Sequence, residues 1–155
     1  MKPIAADTLL NIIEYEKVRH TYRQDIIAYK KNRRISLGPN VMLTFENKKT
    51  LTFQIQEIMR AERLVHDEQI QEEVDVYNTI MPPENGLSAT LFIEVVEEEN
   101  KISSVHYVQF LFSNEQKNNF ADSESETKLG IDYKDYKYTE TVPEGLQRSL
   151  CGDLS

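Results

Sequence analysis

A chain of 155 residues with 39% apolar and 28% charged residues has the size and composition of one folded domain, residues 1 to 155, and is too apolar for full disorder. No run approaches the roughly 18 uninterrupted apolar residues of a membrane span and the first residues lack a signal-peptide core, so the expected location is the cytoplasm. The net charge of -8 argues against general nucleic-acid binding, and the single cysteine, Cys151, excludes an internal disulfide, a cysteine-ligated zinc cluster or a self-contained iron-sulfur centre.

The charge is unevenly divided. Residues 1 to 66 carry 12 Lys and Arg against 7 Asp and Glu, a balance of +5, whereas residues 67 to 155 carry 6 against 19, a balance of -13. Lys30, Lys31, Arg33, Arg34, Lys48 and Lys49 are the densest basic members, a local surface for an anion or an acidic protein. The first run, with Tyr29 as a stacking surface, has a phosphate-gripping reading and a plainer one as a solvated helix end.

In chain order, Asp7 can cap a short helix with Leu9, Leu10, Ile12 and Ile13 as its apolar stripe, and a second helix is expected from Glu16 to about Arg33. Val18, Tyr22, Ile26 and Tyr29 follow the spacing of a core-facing stripe on that helix. Gly38-Pro39-Asn40 breaks the pattern. Val41, Leu43 and Phe45, then Leu51, Phe53 and Ile55, alternate with polar residues around Asn47-Lys48-Lys49, which reads as a β-hairpin. From Gln54 to Tyr77 the period lengthens to that of one kinked helix or of two helices meeting near Asp67.

Pro82 to Gly86 is a turn signal, followed by strands from Leu87 to Val95 and from Val105 to Phe112, joined through Glu97-Glu98-Glu99-Asn100. Residues 113 to 128 read as a flexible loop, Leu129-Gly130-Ile131 as a short strand and Pro143 to Leu150 as a terminal helix. The expected architecture is α+β, an antiparallel sheet of about four or five strands packed against N-terminal and central helices.

If residues 54 to 66 are helical, Glu62 and His66 fall among Ile55, Ile58, Met59 and Val65, an unusual place for a carboxylate. One reading is a structural ion pair with Arg60, Arg63, Arg19 or Arg23. The sharper one is a site for iron or another divalent metal on Glu62, His66 and Glu73, although the paired Glu-x-x-His motifs of a diiron centre are missing. No nucleophile elbow or phosphate-cradling glycine loop is found, and Cys151 lies where chain ends fray. His20 and His106 complete the set of possible proton-transfer groups, with surface or structural histidines as the plainer reading.

The block Phe45-Glu46-Asn47, Thr50, Phe53 to Glu57, Arg60 to Arg63, Glu72-Glu73 and Tyr77-Asn78 closely resembles a bacterial domain-of-unknown-function family, number 3501. Tyr15-Glu16-x-Val18-Arg19, the Lys31 to Gly38 stretch and Leu87-x-Ala89-Thr90-Leu91-x-Ile93-Glu94 extend the resemblance, which runs more loosely to Asp153-Leu154. It implies an accessory role beside rubrerythrin-like proteins and iron-sulfur oxidoreductases. The expected function is therefore an adaptor with no cofactor of its own, docking onto such a redox partner. The alternatives are a small metal-dependent redox or hydrolytic protein and a ligand sensor with an apolar pocket lined by Glu62 and Arg60. The matching polar positions, Arg19, Glu46, Gln54, Gln56, Glu57, Arg60, Glu62, Arg63, Glu73 and Asn78, mark the expected docking or ligand face. One departure stands out. Where the family often has Asp-His-Pro-x-Tyr, this chain reads Asp132-Tyr133-Lys134-Asp135-Tyr136 and so lacks that histidine.

Overall fold

The computed structural model describes residues 1–97, 100–122 and 125–154. A short 3-10 turn, Ala6–Thr8, leads into helix α1, Ile12–Lys31, which is capped by the Asn11 side chain accepting from the Glu14 amide. The expected separate helix on Asp7 and the start at Glu16 are thus replaced by a turn and one long helix. Asn11 supplies the side-chain acceptor that orphan amides at a helix start require. The buried stripe of α1 is Tyr15 and Ile26, with Tyr22 and Tyr29 half-buried between and after them. Val18, expected to face the core, is exposed at the edge of that stripe, about 60° round the helix from Tyr15.

Strands β1, Arg34–Ser36, and β2, Val41–Glu46, form a hairpin closed at Gly38, whose φ of 75° lies in the left-handed region. A Cβ there would also meet the Tyr138 ring at 2.6 Å, so glycine is required on both counts. The hairpin expected around Asn47 does not form. Helix α2, Lys48–Glu62, begins there instead, because the Asn47 side chain accepts from the Thr50 amide while Thr50 Oγ1 accepts from the Asn47 amide, a reciprocal cap. Leu51 and Ile55, which alternation placed on a strand, are one helical turn apart and fully buried.

The chain breaks after Glu62, with Arg63 in a left-handed conformation at φ 55°, and resumes as α3, Asp67–Thr79. Of the two arrangements expected, one kinked helix or two helices meeting near Asp67, it is the second that forms. Strands β3, Gly86–Glu97, and β4, Asn100–Leu111, pair antiparallel along their whole length and complete a sheet in the order β1-β2-β3-β4. Half of the expected link, Glu98 and Glu99, lies outside the described residues. Residues 114 to 121 form helix α4, Asn114–Ala121, rather than a loop: Ser113 and Gln116 make a second reciprocal cap and Phe120 is buried. Strands β5, Lys128–Tyr133, and β6, Tyr136–Thr141, pair as a two-stranded sheet, and α5, Glu144–Cys151, follows. The protein is α+β, and among the described residues no helix is long and apolar enough to cross a membrane.

Two apolar clusters organise this fold. Leu43, Phe45, Leu87 and Ala89 on one sheet face pack with Phe120, Leu146, Leu150 and Leu154. Ile4, Leu51, Ile55, Met59, Val74 and Met81 form a second cluster among α2, α3 and the N-terminal segment. Strand periodicity sends Thr44, Glu46, Ser88 and Thr90 to the opposite sheet face from the first cluster, and all four are buried.

Candidate functional site

Buried polar groups as a rule find partners inside the molecule, and Arg33 does so most fully. The guanidinium of Arg33 is wholly buried. Its Nε donates to Phe45 O at 2.9 Å, its Nη1 to Ser149 Oγ at 2.9 Å and Tyr29 OH at 3.3 Å, and its Nη2 to the Asp153 carboxylate. Asn47 Nδ2 donates to the other Asp153 oxygen and to Tyr29 OH, both at 2.8 Å. The side chain that caps α2 therefore also binds the C-terminal segment. Arg33 lies 5.3 Å and Lys49 4.4 Å from the centre of the Tyr29 ring.

Next to this network, Glu46 is 2% exposed. Its Oε1 accepts from Thr90 Oγ1 at 2.9 Å and lies 3.4 Å from Lys30 Nζ, while Oε2 is buried without a hydrogen-bond partner among the described residues. Glu46 and Glu73 both contribute to holding the Tyr77 hydroxyl in its neutral form. Its pKa is pushed up to about 12, chiefly by burial and then by Tyr107 and these carboxylates.

A third set joins α1 to α2. Arg19 grips Glu57 with two nitrogens at 2.8 and 2.9 Å, and Tyr15 OH donates to the same carboxylate at 2.6 Å. The Arg19 hydrogen bond is the main force holding Glu57 below the usual carboxylate range, and burial is the main cause raising Tyr15. Arg60 pairs with Glu16 farther out, at 2.6 Å between largely exposed side chains.

The matching polar positions therefore do several different things. Arg19, Glu57 and Arg60 meet on the α1–α2 flank. Gln56 is buried and clamps Leu10 through its amide N and O, and Asn78 clamps Ile4 in the same way. Glu46, Gln56 and Asn78 are thus occupied inside the chain, so the expected single docking face is not continuous. Gln54 and Glu73 are half-buried, and Glu62 and Arg63 are exposed.

The expected Glu62–His66 pair does not form. Helix α2 ends at Glu62, so His66 is not one turn further along it; it precedes α3, and both side chains are exposed. Glu62 consequently needs no arginine partner, and Arg60 and Arg19 turn to Glu16 and Glu57. Among the described residues no group of three His, Cys, Asp or Glu side chains could hold a metal ion. His20 and His106 are exposed, His106 lying 3.2 Å from Ser104 Oγ. Cys151 is the last residue of α5, half-buried near Phe120 O rather than frayed, and burial raises its thiol pKa.

The basic run is also largely used internally. Lys30 faces Glu46, Arg33 is buried, Lys48 Nζ donates to Pro3 O at 3.1 Å and Lys49 covers Tyr29, leaving Lys31 and Arg34 exposed. Arg33, Asn47 and Asp153 were not singled out in the sequence for the roles they play. Asn47 three residues before Thr50 was the available signal for a helix cap.

A concavity of about 1060 Å³ lies between the N-terminal segment, the end of α2 and the start of α3. Neither Glu62 nor Arg60 lines it. An exposed apolar strip lies elsewhere, on β3 and β4: Phe92 opposes Val105 in register, with Tyr107 two residues on, all on the sheet face that carries Glu46.

These elements define an α+β protein with a buried polar network between two apolar clusters. The chain belongs to the family described as Protein of unknown function (DUF3501), whose model matches residues 3–100 and 95–154. It is similar to a protein of unknown function from Burkholderia pseudomallei K96243 known from a crystal structure, at 25% identity and a TM-score of 0.88, covering 99% of this chain and 100% of that one. A comparison with curated proteins finds no match.

Proposed function

We propose that this protein is an accessory protein that works by binding another protein, with the exposed strip on β3 and β4 as its docking surface. The observation that carries the reading is the position of β4. It is the outer strand of the sheet over twelve residues, and Val105 and Tyr107 are each about half exposed beside Phe92. Thr44, Ser88 and Thr90 on this face are buried, whereas that strip is open. Contiguous apolar side chains next to an unpaired strand edge mark a surface that a partner covers.

The partner class is the one implied by the family resemblance, an iron-sulfur or rubrerythrin-like redox protein in the cytoplasm, and the protein brings no cofactor of its own. The test is capture of the tagged chain from its host at native expression, with Tyr107→Lys and Val105→Lys compared against the parent. Recovery of such a redox protein by the parent, lost in both variants while their melting stays cooperative, supports the reading. Recovery of the chain alone, or equal recovery by the variants, overturns it.

A further inference from the structure

The groove between the N-terminal segment, α2 and α3 has an apolar floor and an acidic rim. Ile4, Leu9, Met59, Leu64 and Ile70 supply the floor, and Asp7, Asp67, Glu68, Glu72 and Asp75 surround it. Among the described residues that line it there is no lysine or arginine, and none of the five carboxylates is in an ion pair. Helix α3 carries Asp67, Glu68, Glu72, Glu73 and Asp75 with no basic residue in its 13 positions. Carboxylates spaced four apart, such as Glu68 and Glu72, repel one another. A cationic partner would relieve that repulsion.

The walls are fixed. Asn78 holds Ile4 and Gln56 holds Leu10 by paired amide hydrogen bonds, so the segment between them stands against α2 and α3 at both ends. Two of those walls are helices and neither is a sheet edge, so an added strand finds no ladder to extend and recognition must come mainly from side chains. A partner helix, with its own backbone satisfied, meets that condition where an added strand does not.

We propose that this groove binds a basic amphipathic helix of a partner protein, apolar side chains on the floor and lysines or arginines against the rim. Complementary potentials would steer the encounter and fix its orientation. The site uses different elements from the β3–β4 strip and its test is independent of that reading.

The experiment is fluorescence anisotropy of the full chain with two labelled helical peptides that share one leucine pattern, one with lysine and one with glutamate on the polar face. The lysine peptide should bind, more weakly as salt rises, and the glutamate peptide should not. Glu68→Lys with Glu72→Lys should weaken binding by on the order of ten-fold or more without lowering the melting temperature. Glu68→Gln with Glu72→Gln should lie between, and Tyr107→Lys should leave peptide binding unchanged. Equal binding of both peptides, binding of neither, or a charge reversal at Glu14 on α1 that weakens binding as much as the groove variant would overturn the proposal.

Discussion

The ion pairs Arg33–Asp153 and Arg60–Glu16 have similar chemistry and opposite environments. The first has side chains 0% and 6% exposed and is shared with Asn47, Tyr29, Ser149 and the Phe45 carbonyl; the second has side chains 38% and 55% exposed and no further hydrogen-bond partner among the described residues. Water can replace either member of the outer pair at little cost, while removal of one member of the inner pair leaves a charge and several polar groups stranded. The buried pair joins residues 120 positions apart in sequence, so it is a tether between the end of α1 and the C-terminal segment.

The largest expected effect comes from breaking the inner pair. Arg33→Ala should destabilise the protein by about 3 to 5 kcal/mol, measured by denaturant unfolding, because the Asp153 carboxylate stays buried without its cation. A loss as small as that of Arg60→Ala would mean that the burial of Asp153 is not maintained in solution. Asn47→Ala should cost less, about 1 to 2 kcal/mol, since it removes the cap of α2 and one donor to Asp153 but leaves the charge pair in place. In combination with Asp153→Asn its cost should not be additive, as both touch the same carboxylate.

Between these extremes lies Glu57, which tests the comparison by pH. Its carboxyl is held below the ordinary value of 4.5, first by Arg19 and also by Tyr15. The contribution is present above that value and is lost as pH falls through the lowered one. Glu57→Gln should therefore lower the melting temperature near neutral pH and flatten its decline below pH 4.5. An unchanged acid limb would show that the Arg19 grip adds nothing. The smallest effect is expected at the outer pair: Arg60→Ala should leave the melting temperature unchanged within error, at low salt and high.

A separate contrast concerns which local signals could be read from sequence. Alternation from Leu87 to Val95 and the β-rich run from Val105 made β3 and the second part of β4 legible, though not the start of β4 at Asn100, and the period between Gln54 and Tyr77 fitted one kinked helix as well as the two that form. The start of α2 was not legible, because Leu51, Phe53 and Ile55 fit a period of two as well as they fit part of a helical face, and the Asn47–Thr50 cap decided between them. Helix α4 was missed for a similar reason: its eight residues bury only Phe120, so the Ser113–Gln116 cap was a stronger signal than its periodicity. The candidate site was less legible still. Glu62 and His66 share an apolar face only if one helix runs through both, and α2 ends at Glu62.

The sequence by itself determined the α+β class, the two long strands, the family and the division into a basic and an acidic half, because composition, periodicity and motif are local properties. Tertiary structure decided which charges are working parts. Arg33 and Lys31 are neighbours in one basic run, yet one is enclosed by residues from β2 and α5 and the other faces water. The physical reason is that the fate of a charge depends on which distant groups exclude water from it, and those groups are brought together only by the folded chain.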